Sequence, residues 1–187
     1  RLTPDPTSSN AAGVVWDGTG YGVAWSASGD VFFQRLDATG MPLGTPTTIS
    51  NDPADSEGIS LAWSGTEYAI TWYDQRDGNY EIYFTRLDAL GLEIGDDYRV
   101  TDDAASSYDP SLVWSDIRWG VAWSDDRFGN YEIYAALIDA SGVQIGVDRR
   151  VTSDSASSSS CSLAWTGSEY AVSFQDNRDG TYEIFLA

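Results

Sequence analysis

Short apolar segments alternate with clusters of Gly, Asp, Asn and Ser along the chain. Residues 60–63, 67–72, 80–88 and 98–101 form one such series, and these segments are rich in aromatic and β-branched residues. The pattern predicts four short strands, which we name a to d in chain order. No segment keeps an apolar period of 3.6 residues over three turns, so the sequence predicts no helix.

The four-strand series occurs four times within the 187 residues. Each copy carries a tryptophan in strand a and a second aromatic residue in strand b: Trp16 and Trp25, Trp63 and Trp72, Trp114 and Trp123, and Trp165 and Phe174. Four-stranded repeats of about 40–50 residues are typical of propeller blades. The sequence therefore predicts an all-β fold, a four-bladed β-propeller with four antiparallel strands per blade. We assign one domain, 1–187, with repeats at approximately 13–59, 60–110, 111–161 and 162–187 plus 1–12.

The two ends of the chain complement each other. Arg1-Leu-Thr3 aligns with Arg99-Val-Thr101 of strand d, whereas Ala187 aligns with Thr85 inside strand c. We therefore expect the N-terminal strand to pair with the last blade and close the ring, which would hide the sheet edges. The alternative is an arc that belongs to a larger ring or is completed by a second molecule. Between strands c and d, three Asp-Ala-x-Gly segments (37–40, 88–91 and 139–142) predict type I turns.

The most regular part of the repeat lies between strands b and c. It reads Asp74-Gln-Arg-Asp-Gly-Asn-Tyr-Glu-Ile-Tyr83 in the second copy and Asp125-Asp-Arg-Phe-Gly-Asn-Tyr-Glu-Ile-Tyr134 in the third. The segment resembles the repeat of TolB-type (WD40-like) β-propellers, although those rings usually have more blades and a Ser-Pro-Asp-Gly turn before strand b. In its number of blades the chain is similar to the hemopexin domain. The resemblance implies an exported scaffold that binds another molecule, and it brings no set of catalytic residues.

The charge of the chain limits its partners. Asp and Glu number 29 against 10 basic residues, which gives a net charge of −19. A nucleic-acid partner is excluded because phosphate binding needs a basic patch, and no apolar run is long enough for membrane insertion. We find no signal peptide, so we expect the mature form of a secreted bacterial protein.

The residue inventory also limits the chemistry. The chain has no His, and every basic residue is Arg, which excludes Ser-His-Asp triads, His-ligated metals and Schiff-base lysines. A carboxylate pair, as in glycosidases, or a Tyr nucleophile, as in sialidases, remains. The repeated acidic residues are equivalent around the ring, whereas an acid and a base need different environments, so we expect no enzymatic activity. The alternative is a small glycan-cleaving enzyme that uses a carboxylate pair.

Acidic residues recur in the connections between strand d of one blade and strand a of the next. The four equivalent positions are Asp5, Asp52, Asp103 and Asp154. The simplest interpretation is that each carboxylate accepts backbone N–H groups in its own turn, with Arg76, Arg127 and Arg178 as ion-pair partners. The alternative is a ring of oxygen ligands for calcium or another ion in the central channel. Neither interpretation requires a cofactor.

Trp119 is the candidate ligand-binding residue. It stands where the other copies have Tyr21, Tyr68 and Tyr170. An exposed Trp at one blade would offer a flat apolar surface to a sugar ring. Taken together, these features predict a secreted, monomeric ring that acts as a non-enzymatic binding or scaffold module for a protein or carbohydrate ligand.

Overall fold

The computed structural model describes residues 2–3, 9–51 and 54–187. The described residues form four antiparallel sheets, and they include no helix that could cross a membrane.

The first blade contains β1 (Ser9–Trp16), β2 (Gly20–Ala27), β3 (Asp30–Asp37) and β4 (Thr47–Thr48). The second contains β5 (Glu57–Trp63), β6 (Tyr68–Asp74), β7 (Glu81–Leu87) and β8 (Tyr98–Arg99). The third contains β9 (Ser107–Trp114), β10 (Arg118–Asp125), β11 (Glu132–Asp139) and β12 (Gln144–Arg150). The fourth has three described strands, β13 (Ser158–Trp165), β14 (Tyr170–Asp176) and β15 (Glu183–Leu186).

The turns between strands c and d follow from their sequences. In the first blade the N–H of Gly40 donates to the carbonyl of Asp37 (2.9 Å), and the Asp37 carboxylate accepts the N–H of Met41 (3.0 Å). Gly40 has a φ of 81°, a value that side chains rarely allow. Gly91 and Gly142 repeat the bond and the positive φ. The turns predicted from the Asp-Ala-x-Gly segments are therefore confirmed.

A buried aspartate stabilises the b–c turn of the second, third and fourth blades. Asp125 is fully buried and accepts hydrogen bonds from the indole of Trp123 (3.1 Å) and the Nε of Arg127 (2.7 Å). Burial alone would raise the pKa of Asp125, but the hydrogen bonds from Arg127 outweigh it and the pKa lies below its ordinary value. The guanidinium of Arg127 also stacks over Tyr134, 4.2 Å from the ring centre. Equivalent clusters are formed by Asp74, Arg76 and Tyr83, and by Asp176, Arg178 and Phe185.

Periodic aromatic residues fill the space within and between blades. Trp72 and Trp123 are fully buried. Phe33 of the first blade packs on Tyr68 of the second (4.9 Å between ring centres), and Phe84 of the second packs on Trp119 of the third (6.0 Å). Because each ring buries a large apolar area, these contacts hold neighbouring blades together.

The innermost strands pack in series, β1 on β5, β5 on β9 and β9 on β13. Among the described residues β13 and β1 form no comparable contact. The N-terminal strand predicted to close the ring falls partly on residues outside the described ranges, and Leu2 and Thr3 belong to no strand. The all-β propeller architecture is thus present, whereas ring closure stays a prediction.

Candidate functional site

One end of the propeller collects the b–c turns and the d–a connections. The side-chain amide of Asn79, in a b–c turn, donates to the carbonyl of Asp103 (3.1 Å) in the following d–a connection. Asn130 repeats this bond with Asp154 (3.3 Å). Strand a of the next blade starts directly after each connection, so this end also presents the first residues of the inner strands. We call it the turn face.

A carboxylate and a phenol meet on the turn face of the second blade. Glu57 is the first residue of β5, and Tyr73 lies near the end of the neighbouring β6. The hydroxyl of Tyr73 donates a hydrogen bond to Glu57 Oε2 over 3.2 Å. Burial of Tyr73 and the nearby negative charges of Glu57 and Asp109 raise its pKa well above its ordinary value. Tyr73 therefore stays protonated and acts as a hydrogen-bond donor.

Four tyrosines form a continuous aromatic cluster beside this pair. Tyr73 lies 5.4 Å from Tyr80 and 5.5 Å from Tyr108, measured between ring centres. Tyr108 in turn lies 5.2 Å from Tyr80 and 6.0 Å from Tyr131. The cluster spans the junction of the second and third blades, and 38% of the Tyr131 surface is exposed. Rings that are partly open to solvent and flanked by carboxylates suit the faces of sugar rings.

Asp109 supplies the second carboxylate of this region. It follows Tyr108 in β9, at a β-bulge in the pairing of β9 with β10, and has a φ of 51°. The bulge and the positive φ recur at the equivalent Gly58 (64°) and Ser160 (54°), so they belong to the repeat, and what distinguishes the third blade is the carboxylate that stands there. Although Asp109 is exposed in part, the protein packed around its carboxyl group raises its pKa.

Cys161 of β13 lies against the same bulge. The Sγ atom of Cys161 lies 3.8 Å from the carbonyl oxygen of Asp109, to which the thiol donates a weak hydrogen bond. Burial and the charge of Asp109 raise the pKa of the Cys161 thiol to about 12, so it is not a thiolate nucleophile at neutral pH.

The residues of this site break the repeat. Tyr108 occupies the strand-a position that holds Asn10, Glu57 and Ser159 in the other blades. Asp109 aligns with Gly58 and Ser160, and Tyr73 aligns with Ser26, Ser124 and Gln175. Sequence reasoning overlooked these residues because it followed the acidic positions that repeat. The signal that points to them is departure from the repeat, since a single acid and a single base require different surroundings.

The aspartates predicted to surround an ion serve local structure where they are described. Asp103 and Asp154 accept the backbone N–H groups of Ala105 and Ala156, both over 2.8 Å. Asp103 also pairs with Arg127 (2.9 Å), and Asp154 pairs with Arg178 (3.0 Å). Asp5 and Asp52 lie outside the described residues. Within the described ranges no three acidic or Cys side chains converge as metal ligands, and binding of calcium stays a prediction.

Trp119 is not a ligand-binding platform, contrary to the prediction. It is fully buried at the junction of the second and third blades and packs against Trp114 (4.6 Å between ring centres). The reason is its position: the equivalent Tyr68 is also fully buried, so this position faces the preceding blade and not solvent.

Solved structures share this architecture. A subtype N10 neuraminidase-like protein of A/little yellow-shouldered bat/Guatemala/060/2010 superimposes with a TM-score of 0.66 and 14% identity, over 95% of this chain and 59% of that protein. A thermostable family-43 glycoside hydrolase superimposes with a TM-score of 0.59 and 15% identity, over 94% of this chain and 70% of the hydrolase. A bifunctional GH43-CE protein of Bacteroides eggerthii gives 0.56 and 14%, over 96% of this chain and 24% of that chain. No protein-family model and no curated protein matches the chain.

These likenesses support the propeller fold, and the finer resemblance to TolB-type repeats and to hemopexin stays a prediction. They also correct the expectation of a non-enzymatic binding or scaffold module. Proteins with this fold include a glycoside hydrolase and a neuraminidase-like protein, and this finding overturns that expectation. The expectation rested on the acidic positions that repeat in every blade, whereas Glu57 and Asp109 are acidic residues that do not repeat.

Proposed function

We propose that the chain is a glycan-cleaving enzyme whose carboxylate pair is Glu57 and Asp109. The observation that carries the proposal is the geometry around Tyr73, which donates a hydrogen bond to Glu57 and packs against Tyr108, the residue directly before Asp109. A glycosidase needs one carboxyl group that is protonated and one that is ionised. The two groups have different surroundings here, unlike the repeated aspartates.

Asp109 is suited to the role of general acid. Its raised pKa extends the pH range in which the carboxyl group holds a proton. In the reaction this proton passes to the glycosidic oxygen as its bond to the anomeric carbon breaks.

Glu57 is suited to the complementary role. The hydrogen bond from Tyr73 fixes the orientation of the Glu57 carboxylate. The carboxylate then either bonds to the anomeric carbon or removes a proton from the attacking water, and the anomeric configuration of the product distinguishes the two routes. Tyr80, Tyr108 and Tyr131 provide the aromatic surface on which the sugar rings lie. We further propose that the enzyme acts outside the cell, where polymeric glycans are accessible.

A panel of oligosaccharides and polysaccharides, assayed for new reducing ends, tests this function. We expect the wild-type protein to release reducing ends from at least one member of the panel. E57Q and D109N should each lower the rate by at least about a hundredfold, in line with the usual contribution of acid–base groups. D96N, which alters an exposed carboxylate in a c–d connection, is the matched control and should keep the wild-type rate. Wild-type activity in both E57Q and D109N would refute the assignment.

A further inference from the structure

The third blade exposes an aromatic residue where the other b–c turns carry a carboxylate. Phe128 lies at the tip of this turn, at the position of Asp77 in the second blade and Asp179 in the fourth. It is 64% exposed. In the second blade Asp77 pairs with Arg99 (3.3 Å), whereas in the third blade the guanidinium of the equivalent Arg150 stacks over Phe128, 4.7 Å from the ring centre. The exchange keeps a contact to the arginine and adds an apolar ring to the turn face.

Phe128 enlarges the aromatic surface of the proposed site. Tyr131 ends the same turn, is exposed in part and belongs to the tyrosine cluster through its contact with Tyr108 (6.0 Å between ring centres). An exposed Phe and an exposed Tyr in one turn, beside further tyrosine rings, offer more than one apolar platform. Such a surface suits consecutive sugars of a chain, because each sugar ring has an apolar face that packs on an aromatic ring.

Negative charges beyond those of the repeat lie at the same junction. Glu57 and Asp109 are exposed near the starts of β5 and β9. Asp126 directly follows β10, at a position where the second and fourth blades have a side-chain amide. Burial, the neighbouring phenol of Tyr108 and the charges of Asp126 and Asp109 raise the pKa of Tyr131. The carboxylates and the aromatic surface therefore belong to one region of the turn face.

The arginines of the turn face are held in ion pairs. The chain has no Lys and no His, so arginines supply every positive side chain. Those of the b–c turns and of the neighbouring ends of strand d bind carboxylates: Arg76 binds Asp74, Arg99 binds Glu81, Arg127 binds Asp125, Arg150 binds Glu132 and Arg178 binds Asp176. On the described part of this face an acidic sugar would meet carboxylates and paired arginines. An ammonium group, in contrast, can bind both a carboxylate and the face of a tyrosine ring.

We propose that the turn face of the second and third blades binds a chain of amino sugars whose ammonium groups are free. Consecutive sugar rings lie on Tyr131 and Phe128, and their ammonium groups face Glu57, Asp109 and Asp126. This substrate class rests on the proposed function, because it uses the same carboxylates and tyrosines as the proposed cleavage.

Two oligosaccharides of equal length, one of glucosamine and one of N-acetylglucosamine, test the proposal because they differ in charge. Calorimetry measures the binding of each to the whole wild-type protein, at a pH at which glucosamine is protonated. We expect the glucosamine oligomer to bind at least about tenfold more tightly at low salt. The difference should shrink at about 1 M salt, where the screening length falls to about 3 Å. Equal binding of the two oligomers, or tighter binding of the acetylated one, would overturn the proposal.

Matched variants distinguish a site from general attraction by the net charge of −19. Y131A should weaken binding of the glucosamine oligomer about tenfold, whereas Y182A, which removes the equivalent exposed tyrosine of the fourth blade, should not. D109N should weaken binding severalfold, whereas D96N should not. Equal effects within either pair of variants would mean that charge attracts the sugar without a site, and the proposal would be wrong.

F128D tests the contribution of the exposed ring. This variant gives the third blade the residue that stands in the second and fourth blades, so we expect it to fold. It removes a ring and adds a negative charge, and these changes have opposite effects on a cationic sugar. We expect severalfold weaker binding because the stacking surface is lost. Tighter binding would show that charge alone attracts the oligomer and would overturn the proposal.

Release of reducing ends, assayed in parallel, separates this inference from the proposed function. Binding of the glucosamine oligomer at the Tyr131 site without new reducing ends would support the substrate class and refute the proposed cleavage. Cleavage of another glycan, together with no binding of the glucosamine oligomer, would support the proposed function and overturn this inference.

Discussion

The hydroxyl of Tyr73 donates a hydrogen bond of 3.2 Å to the carboxylate of Glu57, its partner in the pairing of strands a and b of the second blade. Neither residue is repeated in another blade. The pair therefore does not belong to the hydrogen bonds that build every blade. It orients one carboxylate beside the tyrosine cluster.

The role of Tyr73 is tested by replacing its hydroxyl. In Y73F the Glu57 carboxylate loses the hydrogen bond that orients it, and we expect kcat to fall about tenfold on the glycan identified in the panel, with KM nearly unchanged. Tyr73 as a covalent nucleophile, the arrangement known from sialidases, would instead make Y73F inactive. Y182F removes an exposed phenol hydroxyl of the fourth blade, outside the proposed site, and serves as the control.

The Trp119 position tests the account of blade packing. Its indole N–H has no hydrogen-bond partner among the described residues, whereas the hydroxyl of Tyr170 at the equivalent position donates to Ser115 (2.6 Å). In W119Y the lost ring volume and the gained hydrogen bond oppose each other, and we expect the free energy of unfolding to stay within about 1 kcal/mol of wild type. W119F should be less stable than W119Y by roughly 1 kcal/mol.

W119A completes this series and should cost about 3–5 kcal/mol through the cavity it creates. Chemical denaturation of the three variants gives these differences. A W119A protein as stable as wild type would contradict the packing described for this junction.

The buried Asp125–Arg127 pair predicts a pH-dependent stability. The pKa of Asp125 is lowered on folding, so the ionised carboxylate stabilises the folded state above its ordinary pKa. This contribution is lost as the pH falls through the lower pKa of the folded protein. D125N should therefore destabilise the protein by about 3–5 kcal/mol at pH 7, and the difference from wild type should shrink in acid.

Urea unfolding of D125N and wild type between pH 7 and pH 2 measures this trend. D96N, at an exposed position, should show a small difference that does not depend on pH. A constant D125N difference down to the lowest pH would show that the charge of Asp125 is not what stabilises the turn.

The sequence predicted the blades because their determinants repeat. The pair Asp74 and Arg76 recurs at equivalent positions of other blades, and so does Gly40 with its positive φ. Each forms or permits a turn within its own copy, so one copy of the repeat is enough to recognise it. Trp119 was misjudged because its exposure depends on the preceding blade, which lies about fifty residues away in the chain. The pairing of β9 with β10 around a bulge at Asp109 is similarly invisible to a pattern of alternating residues.

The candidate site could be approached from the sequence only through exceptions. Glu57 and Tyr108 occupy one aligned position in successive blades, and the structure brings both into contact with Tyr73. A search for repeats gives little weight to such positions, although they are where one blade differs chemically from the next. The carboxylates were therefore available in the sequence, but their convergence depends on how the second blade packs on the third.

The central claim is that Asp109 donates the proton to the departing sugar, and leaving-group dependence measures this most directly. A series of aryl glycosides of the preferred sugar, with phenols of decreasing pKa, is hydrolysed by wild type and by D109N. We predict that D109N loses at least about a hundredfold in rate on substrates with basic leaving groups but retains near wild-type rates on the most acidic phenols, which depart without protonation. An equal loss of rate across the whole series, or no loss at all, would contradict the account.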